Sequence, residues 1–199
     1  MAEGLFAEKG YIVARSAISV DDRSFLWTYI LQSLGSMKWA KGDRQVPGTP
    51  AVYGNPVMET LLEKVQPMVE KLVGLDLFPT YSYVRLYKTG DELAKHTDRP
   101  SCEISATLCV GYEPDQPWPI WIESDGDVEV VLLAGDMLVY KGRELPHWRR
   151  RYSGNRLAQV FLHYVDQHGA CSEWKFDKRS SLRKPPPCAT GRKSRSADA

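Results

Sequence analysis

The hydrophobic pattern changes character near residue 80. Before that point apolar residues recur at helical spacing. In "SVDDRSFLWTYILQSL" (19–34) Phe25, Leu26, Ile30 and Leu34 share a face, and Ser19 or Asp21 can cap the start. In "NPVMETLLEKVQPMVEKLVG" (55–74) Asn55 and Pro56 stand in the order favoured at a helix start, and Gly74 marks the end. Met58, Leu61, Leu62, Val65, Met68, Val69 and Leu72 then form one apolar stripe, expected to pack on a sheet, with Pro67 a candidate kink. A short strand, "GYIVARSAI" (10–18), precedes the helices, and residues 36–54 read as loop.

From residue 80 onward the runs are short, β-branched or aromatic, and separated by turns: "TYSYVRLYK", "CEISATLCV", "WPIWIES", "VEVVLL", "DMLVYKG", "HWRRRYS" and "RLAQVFLHYV". "SDGD" (124–127) and "LAGD" (133–136) carry turn chemistry. The runs lie too close together for helical crossovers, so a parallel doubly wound sheet is excluded. The expected architecture is mainly β with N-terminal helices: a double-stranded β-helix, or jelly roll, buttressed by the helices.

Length adds that 199 residues with 43% hydrophobic content suit one domain with a sizeable core. The expected boundaries are 1–174 for that domain, with the β core at about 80–166, and 175–199 for a flexible basic tail. The tail carries eight Lys or Arg against two Asp, and it lacks the apolar residues to order itself. It also lacks interleaved aromatics on which bases could stack, so nucleic acid is not expected as a partner. No apolar run is long enough to span a bilayer, and the start "MAEGLFAEKG" has no leader pattern; a soluble cytoplasmic protein is expected. Cys102, Cys109, Cys171 and Cys188 show no C-x-x-C spacing, so neither a disulfide framework nor a zinc knuckle is expected.

Candidate chemistry lies in "YKTGDELAKHTDRP" (87–100). On extended backbone His96 and Asp98 point to one side while Thr97 points away. His147, in "ELPHWRRR", offers a third ligand from a facing strand. Two histidines and a carboxylate with open positions form the arrangement of non-haem Fe(II) oxygenases. An isolated H-x-D is usually a solvated turn, and the chain has four histidines, so a further feature is needed. Arg156 opens the apolar strand "LAQVFLHYV", nine residues after His147. A guanidinium inside an apolar barrel calls for an anion, which a dicarboxylate would supply.

Over roughly residues 80–166 the sequence resembles the Fe(II)/2-oxoglutarate-dependent oxygenases, particularly the prolyl-4-hydroxylase-like branch. The resemblance rests on Tyr87 and Gly90 before His96 and Asp98, then "GDMLVY", then His147 with Arg156 at the family's usual offset. It implies iron ligation by His96, Asp98 and His147, and a salt bridge from Arg156 to the distal carboxylate of 2-oxoglutarate. Tyr87, or Tyr83 on the same strand face, would hydrogen-bond that carboxylate. The implied reaction couples O2 and oxidative decarboxylation of 2-oxoglutarate, giving succinate and CO2, to hydroxylation of a C–H bond. Asp98 argues against the halogenating members, which replace that ligand by a small residue.

Other candidates follow from position. Arg149 shares the face of His147, and Arg99 follows Asp98; either can grip a carboxylate of the substrate or of 2-oxoglutarate, with an ion pair to Glu103, Glu144 or another acidic group as the alternative. Trp118 and Trp121 can wall a substrate entrance or pack in the interior. The co-substrate wall on "CEISATLCV" is expected to be Ile104, Ala106, Leu108 and Val110; a bulge would turn Glu103, Ser105, Thr107 and Cys109 inward instead. His163 and His168 lack ligand-like company, and His163 faces away from Arg156 by parity, in a structural role. The substrate expected is a small molecule, a free amino acid or a peptidyl residue, and nothing in the pattern specifies an oligomeric state. Two other readings are a cupin-like metal-dependent dioxygenase or isomerase that does not use 2-oxoglutarate, and a catalytically silent peptide-binding barrel.

Overall fold

In the computed structural model, which describes residues 2–36, 39–113 and 116–184, two antiparallel sheets face one another. The chain begins with helix α1 (Ala2–Lys9), strand β1 (Tyr11–Ala14) and helix α2 (Val20–Ser33). Strands β2 (Ala40–Gly42) and β3 (Pro47–Tyr53) and helix α3 (Pro56–Val73) follow. Eight further strands complete the fold: β4 (Leu77–Lys88), β5 (Leu93–His96), β6 (Ile104–Glu113), β7 (Ile120–Ser124), β8 (Gly126–Val130), β9 (Met137–Lys141), β10 (His147–Arg149) and β11 (Arg156–Asp166).

The larger sheet runs β1-β9-β6-β11-β4-β3-β2 and the smaller β5-β10-β7-β8. Within them, β4, β6, β9 and β11 lie in the larger sheet and β5, β7, β8 and β10 in the smaller, the winding of a double-stranded β-helix, as expected. Strands β2 and β3 extend the larger sheet within the stretch expected to be loop. No helix among the described residues is long and apolar enough to cross a membrane.

Local chemistry sets both long helices. Ser19 Oγ accepts from the Asp22 amide at the start of α2, and Asn55 Oδ1 accepts from Val57 and Met58 at the start of α3. Gly74 closes α3 in the left-handed conformation, φ 72°. Pro67 lies within the helix, which continues through it. The buried stripe Met58, Leu61, Leu62, Val65 and Val69 packs on the outer face of the larger sheet, while Met68 turns to solvent.

That packing decides which way β6 faces. Ile104, Ala106, Leu108 and Val110 join the core beneath the helices, so they are not the co-substrate wall. Ser105, Thr107 and Cys109 occupy the opposite face, towards the barrel interior. Against β11 the register slips between Ala158↔Gly111 and Gln159↔Cys109, so one residue of β6 bulges and Tyr112 rejoins the face of Cys109.

Residues 175–184 do not behave as a free tail. A turn at Ser172–Lys178 leads the chain back across the barrel, with Phe176, Asp177, Lys178 and Arg183 at positive φ. Asp177, Arg179 and Leu182 are buried there. Charge composition concealed this because Arg179 is paired with Glu59, both side chains having no exposed surface. The rest of the basic segment, including Cys188, lies outside the described residues.

Candidate metal centre

Strands β5 and β10 are neighbours in the smaller sheet, with His147 directly opposite His96. Asp98 follows β5, its amide donating to Gly142 O at 2.8 Å. The three side chains therefore converge, with one candidate ligand atom from each lying within 4.8 Å of the others. Asp98 Oδ1 is 3.7 Å from Nε2 of both His96 and His147.

Both imidazoles are held from behind. Nδ1 of His96 lies 2.8 Å from Ala94 O, and Nδ1 of His147 lies 3.0 Å from Leu145 O. A carbonyl only accepts, so each Nδ1 carries the proton and each Nε2 keeps its lone pair for an ion. Burial draws the pKa of His147 below the ordinary range, with Asp98 opposing, which keeps the ring neutral as ligation requires. Tyr140 Oη lies 3.3 Å from His147 Nε2.

The triad lines a pocket of about 470 Å³ that also includes Tyr81, Tyr83, Arg85, Phe161 and His163. Alternation along β4 brings Tyr81, Tyr83, Arg85 and Tyr87 to the barrel interior. Arg85 is buried against the rings of Tyr83, Tyr87 and Phe161. It donates from Nη1 to Tyr87 Oη at 3.1 Å and pairs through Nη2 with Asp43. Tyr83 Oη also donates to Asp43, at 2.8 Å. The other oxygen of Asp43 caps the amides of Gln45 and Val46, so this loop is pinned at the pocket rim.

Arg156 is not in this pocket. It is exposed at the first residue of β11, opposite Lys88 and Glu113. Parity explains the correction: Leu157 packs with Tyr87 and Trp118 inside the barrel, so Arg156 points outward. The buried guanidinium belongs to Arg149 instead, 1% exposed and two residues beyond His147. Its Nη1 donates to Trp118 O, while Nε and Nη2 are buried without a hydrogen-bond partner. Burial pulls its pKa below the ordinary value, and Tyr87 is the foremost neighbour that opposes this.

The remaining candidates divide. Trp118 is buried inside, its ring 4.9 Å from both the Arg149 guanidinium and the Tyr87 ring, and its Nε1 donates to Arg150 O. Trp121 lies on the outer face of the smaller sheet, stacked on Trp148 at 6.1 Å, away from the pocket. Arg99 reaches the pocket but is held by Asp177 through two hydrogen bonds of 2.9 and 2.8 Å. This is the expected ion pair with an acidic group, which is Asp177 rather than Glu103 or Glu144. Arg85, Asp43, Ser105, His163 and Asp177 were not singled out as site residues from sequence. Arg85 was findable, because it shares the strand face of Tyr83 and Tyr87.

No family model matches the sequence, and no curated protein matches it. Solved structures do. The non-heme alpha ketoglutarate dependent epimerase SnoN from nogalamycin biosynthesis superposes with a TM-score of 0.70 at 14% identity, covering 83% of this chain and 81% of that one. A Pseudomonas putida prolyl-4-hydroxylase gives 0.63 at 17% identity over 83% and 99%. EctD from S. alaskensis with bound Fe gives 0.68 at 15% identity over 93% and 86%. The chain has the fold of these enzymes.

Proposed function

We propose that this protein is an Fe(II)- and 2-oxoglutarate-dependent oxygenase that hydroxylates an unactivated C–H bond, with Arg149 rather than Arg156 anchoring the co-substrate. One observation carries the reading: His96, Asp98 and His147 converge beside a buried guanidinium with two unpartnered nitrogens. A buried cation of this kind needs an anion, and a carboxylate suits the planar fork of an arginine.

Charge supports the same ligand. Arg85 is closed by Asp43 and Arg99 by Asp177, leaving buried Arg149 without a carboxylate partner and half-buried Asp98 without a Lys or Arg partner. Those two cancel, so a divalent ion held by the triad would add two positive charges. The dianion of 2-oxoglutarate neutralises them. A cupin-like centre without that co-substrate leaves Arg149 unexplained, and a silent peptide-binding barrel leaves the converging ligands unexplained.

In this reading His96, Asp98 and His147 hold the iron on one side. Arg149 and the Tyr87 phenol orient the distal carboxylate, with Trp118 excluding water from the pair. Bound iron, with 2-oxoglutarate and O2, supplies the oxidising chemistry that yields succinate, CO2 and an oxygenated product. The substrate, a small molecule or a peptidyl residue, enters past Tyr81, Tyr83 and Phe161, which position its C–H bond.

Anaerobic addition of Fe(II) and 2-oxoglutarate should produce the weak visible absorption of their chelate. Oxygen should then yield succinate, and product from a cell extract should gain one oxygen atom. His96→Ala, Asp98→Ala and His147→Ala are each expected to abolish Fe(II)-dependent succinate formation in a folded protein. Full activity in any of the three overturns the assignment.

A further inference from the structure

The carboxylate of Asp98 has two oxygens, and they meet different partners. Oδ1 faces both histidine Nε2 atoms. Oδ2 is 2.7 Å from Ser105 Oγ, which lies 3.0 Å from Nδ1 of His163 and 3.2 Å from Cys102 O. Ser105 and His163 are buried, 1% and 5% exposed.

Proton counting fixes its direction. A serine hydroxyl has one proton to give, and an ionised carboxylate only accepts. The 2.7 Å contact to Oδ2 is shorter than the 3.2 Å contact to Cys102 O, and it involves a charged acceptor. The Ser105 proton therefore goes to Asp98, and Nδ1 of His163 must donate to Ser105 Oγ. Burial keeps the imidazole neutral, its pKa drawn down to about 4.

We propose that His163 and Ser105 form a proton-ordered relay that holds Asp98 Oδ2 away from the metal, so that Asp98 binds through Oδ1 alone. These are positioning residues that act through Asp98, and the proposal rests on the metal centre proposed above. A carboxylate free to swing can chelate an ion through both oxygens and occupy a position the co-substrates need. One restrained by a hydrogen bond from behind presents a single oxygen.

The surroundings are built to keep the relay in register. His163 on β11 stands directly opposite Ser105 on β6 and Tyr81 on β4. Its ring lies 4.5 Å from that of Tyr81. At the other end, a Cβ on Gly142 would collide with Asp98 Oδ2 and come within 2.6 Å of Ser105 Oγ, so only glycine leaves room there. Asp98, Cys102 and His163 also lie close enough to suggest a second ion position. Burial pushes the Cys102 thiol up to about 12 and Tyr81 Oη is 3.1 Å from its sulfur; with His163 Nδ1 engaged by Ser105, the cluster serves as support.

The test compares Ser105→Ala, His163→Phe, His163→Asn and the double variant Ser105→Ala/His163→Phe in the full chain. Anaerobic titrations read Fe(II) affinity directly, Co(II) absorption reads coordination, and circular dichroism checks folding. Loss of such supporting contacts typically weakens metal binding roughly ten- to a hundred-fold. Ser105→Ala and His163→Phe should each show that loss, and the double variant should be no worse than Ser105→Ala. His163→Asn, whose amide restores the donor, should bind within a few-fold of the unaltered protein. Ser105→Ala, nearly isosteric, decides the matter if His163→Phe does not fold. Unaltered affinity in folded Ser105→Ala, or losses that multiply in the double variant, would overturn the relay. An unaltered protein that binds neither Fe(II) nor Co(II) would instead overturn the metal centre and the relay with it.

Discussion

Arg149 and Arg179 are both buried arginines, yet they sit in opposite circumstances. Behind the larger sheet, Arg179 has every nitrogen engaged. Nη2 reaches Glu59 Oε1 at 2.7 Å and Thr80 O at 2.9 Å, Nη1 reaches Lys184 O, and Nε reaches Phe176 O. Inside the barrel, Arg149 has one carbonyl and two unpartnered nitrogens. A folded chain tolerates a buried charge when it is paired and hydrogen-bonded. Arg179 meets that condition by itself; in the proposed reading Arg149 meets it with the co-substrate carboxylate. The contrast separates a side chain that holds the fold from one that the fold holds ready.

Breaking the satisfied arginine should have the largest effect on stability. Removing one partner of a buried pair typically costs about 3–5 kcal/mol, and for a domain of this size each kcal/mol moves Tm by roughly 2–4 °C. Arg179→Ala should therefore melt well over 5 °C lower, because Glu59 is left charged and alone against the Arg183 amide. Calorimetry checks this. Arg179→Ala with unchanged Tm would mean the C-terminal clamp contributes nothing.

The same substitution logic should give the opposite sign at Arg149. Arg149→Met removes an unpaired buried charge while retaining volume, so the ligand-free protein should melt no lower, with a gain in stability of up to about 1–4 kcal/mol. Binding of 2-oxoglutarate should fall roughly thirty-fold or more, since truncating one side of a buried charge pair costs about 2–5 kcal/mol. Thermal shift with and without 2-oxoglutarate, run anaerobically with Fe(II), reads both quantities together. A destabilised ligand-free Arg149→Met that still binds 2-oxoglutarate normally would show Arg149 to be structural after all.

A smaller effect is expected from pH at the clamp's contact with the pocket. Burial raises the Asp177 carboxyl, but hydrogen bonds from Arg99 and Tyr53 outweigh it and hold the pKa below 3.8. A carboxylate with a lowered folded pKa stabilises the contact fully above its unfolded value, near 4, and loses that contribution as pH falls through the folded one. Amide resonances of residues 172–184 should therefore keep their docked shifts at pH 5 and move below about pH 4. In Asp177→Asn that transition should disappear. A transition of unchanged position in Asp177→Asn would assign it to another group.

These contrasts show what periodicity reveals and what it hides. The helices were legible because their stripes and caps are local, and the barrel because its runs are short and punctuated. His96, Asp98 and His147 were legible because an H-x-D pair on extended backbone needs only alternation to converge. The inward face of β6 was not. Its even set, Ile104 to Val110, and its odd set, Ser105 to Cys109, are both buried, and apolarity chose the set that packs on α2 and α3. A sheet covered on both sides carries no hydrophobic signal for which side is the cavity. Parity at His163 was read correctly relative to Arg156; what sequence lacked was knowledge of which of the two faced inward. The ordered stretch 175–184 was hidden because pairing with Glu59 depends on a contact 120 residues away.

The smallest effect is expected at Arg156, and it sharpens the contrast most economically. Spacing from His147 selects Arg156 as the candidate anchor for a dicarboxylate, whereas the backbone directs it outward from the first residue of β11. Exposed substitutions away from buried features usually change stability by less than about 0.5 kcal/mol. Arg156→Ala should therefore leave Tm, Fe(II) affinity and the 2-oxoglutarate requirement all close to those of the unaltered protein. Arg156→Ala and Arg149→Met titrated side by side give a direct comparison, because each removes one positive charge, from β11 of the larger sheet and β10 of the smaller sheet of the same barrel. Only the buried charge should matter for the dicarboxylate. If Arg156→Ala instead weakened 2-oxoglutarate binding by tenfold or more while Arg149→Met did not, the first turn of β11 would have to rotate on binding, and the anchor would return to the residue that spacing selects.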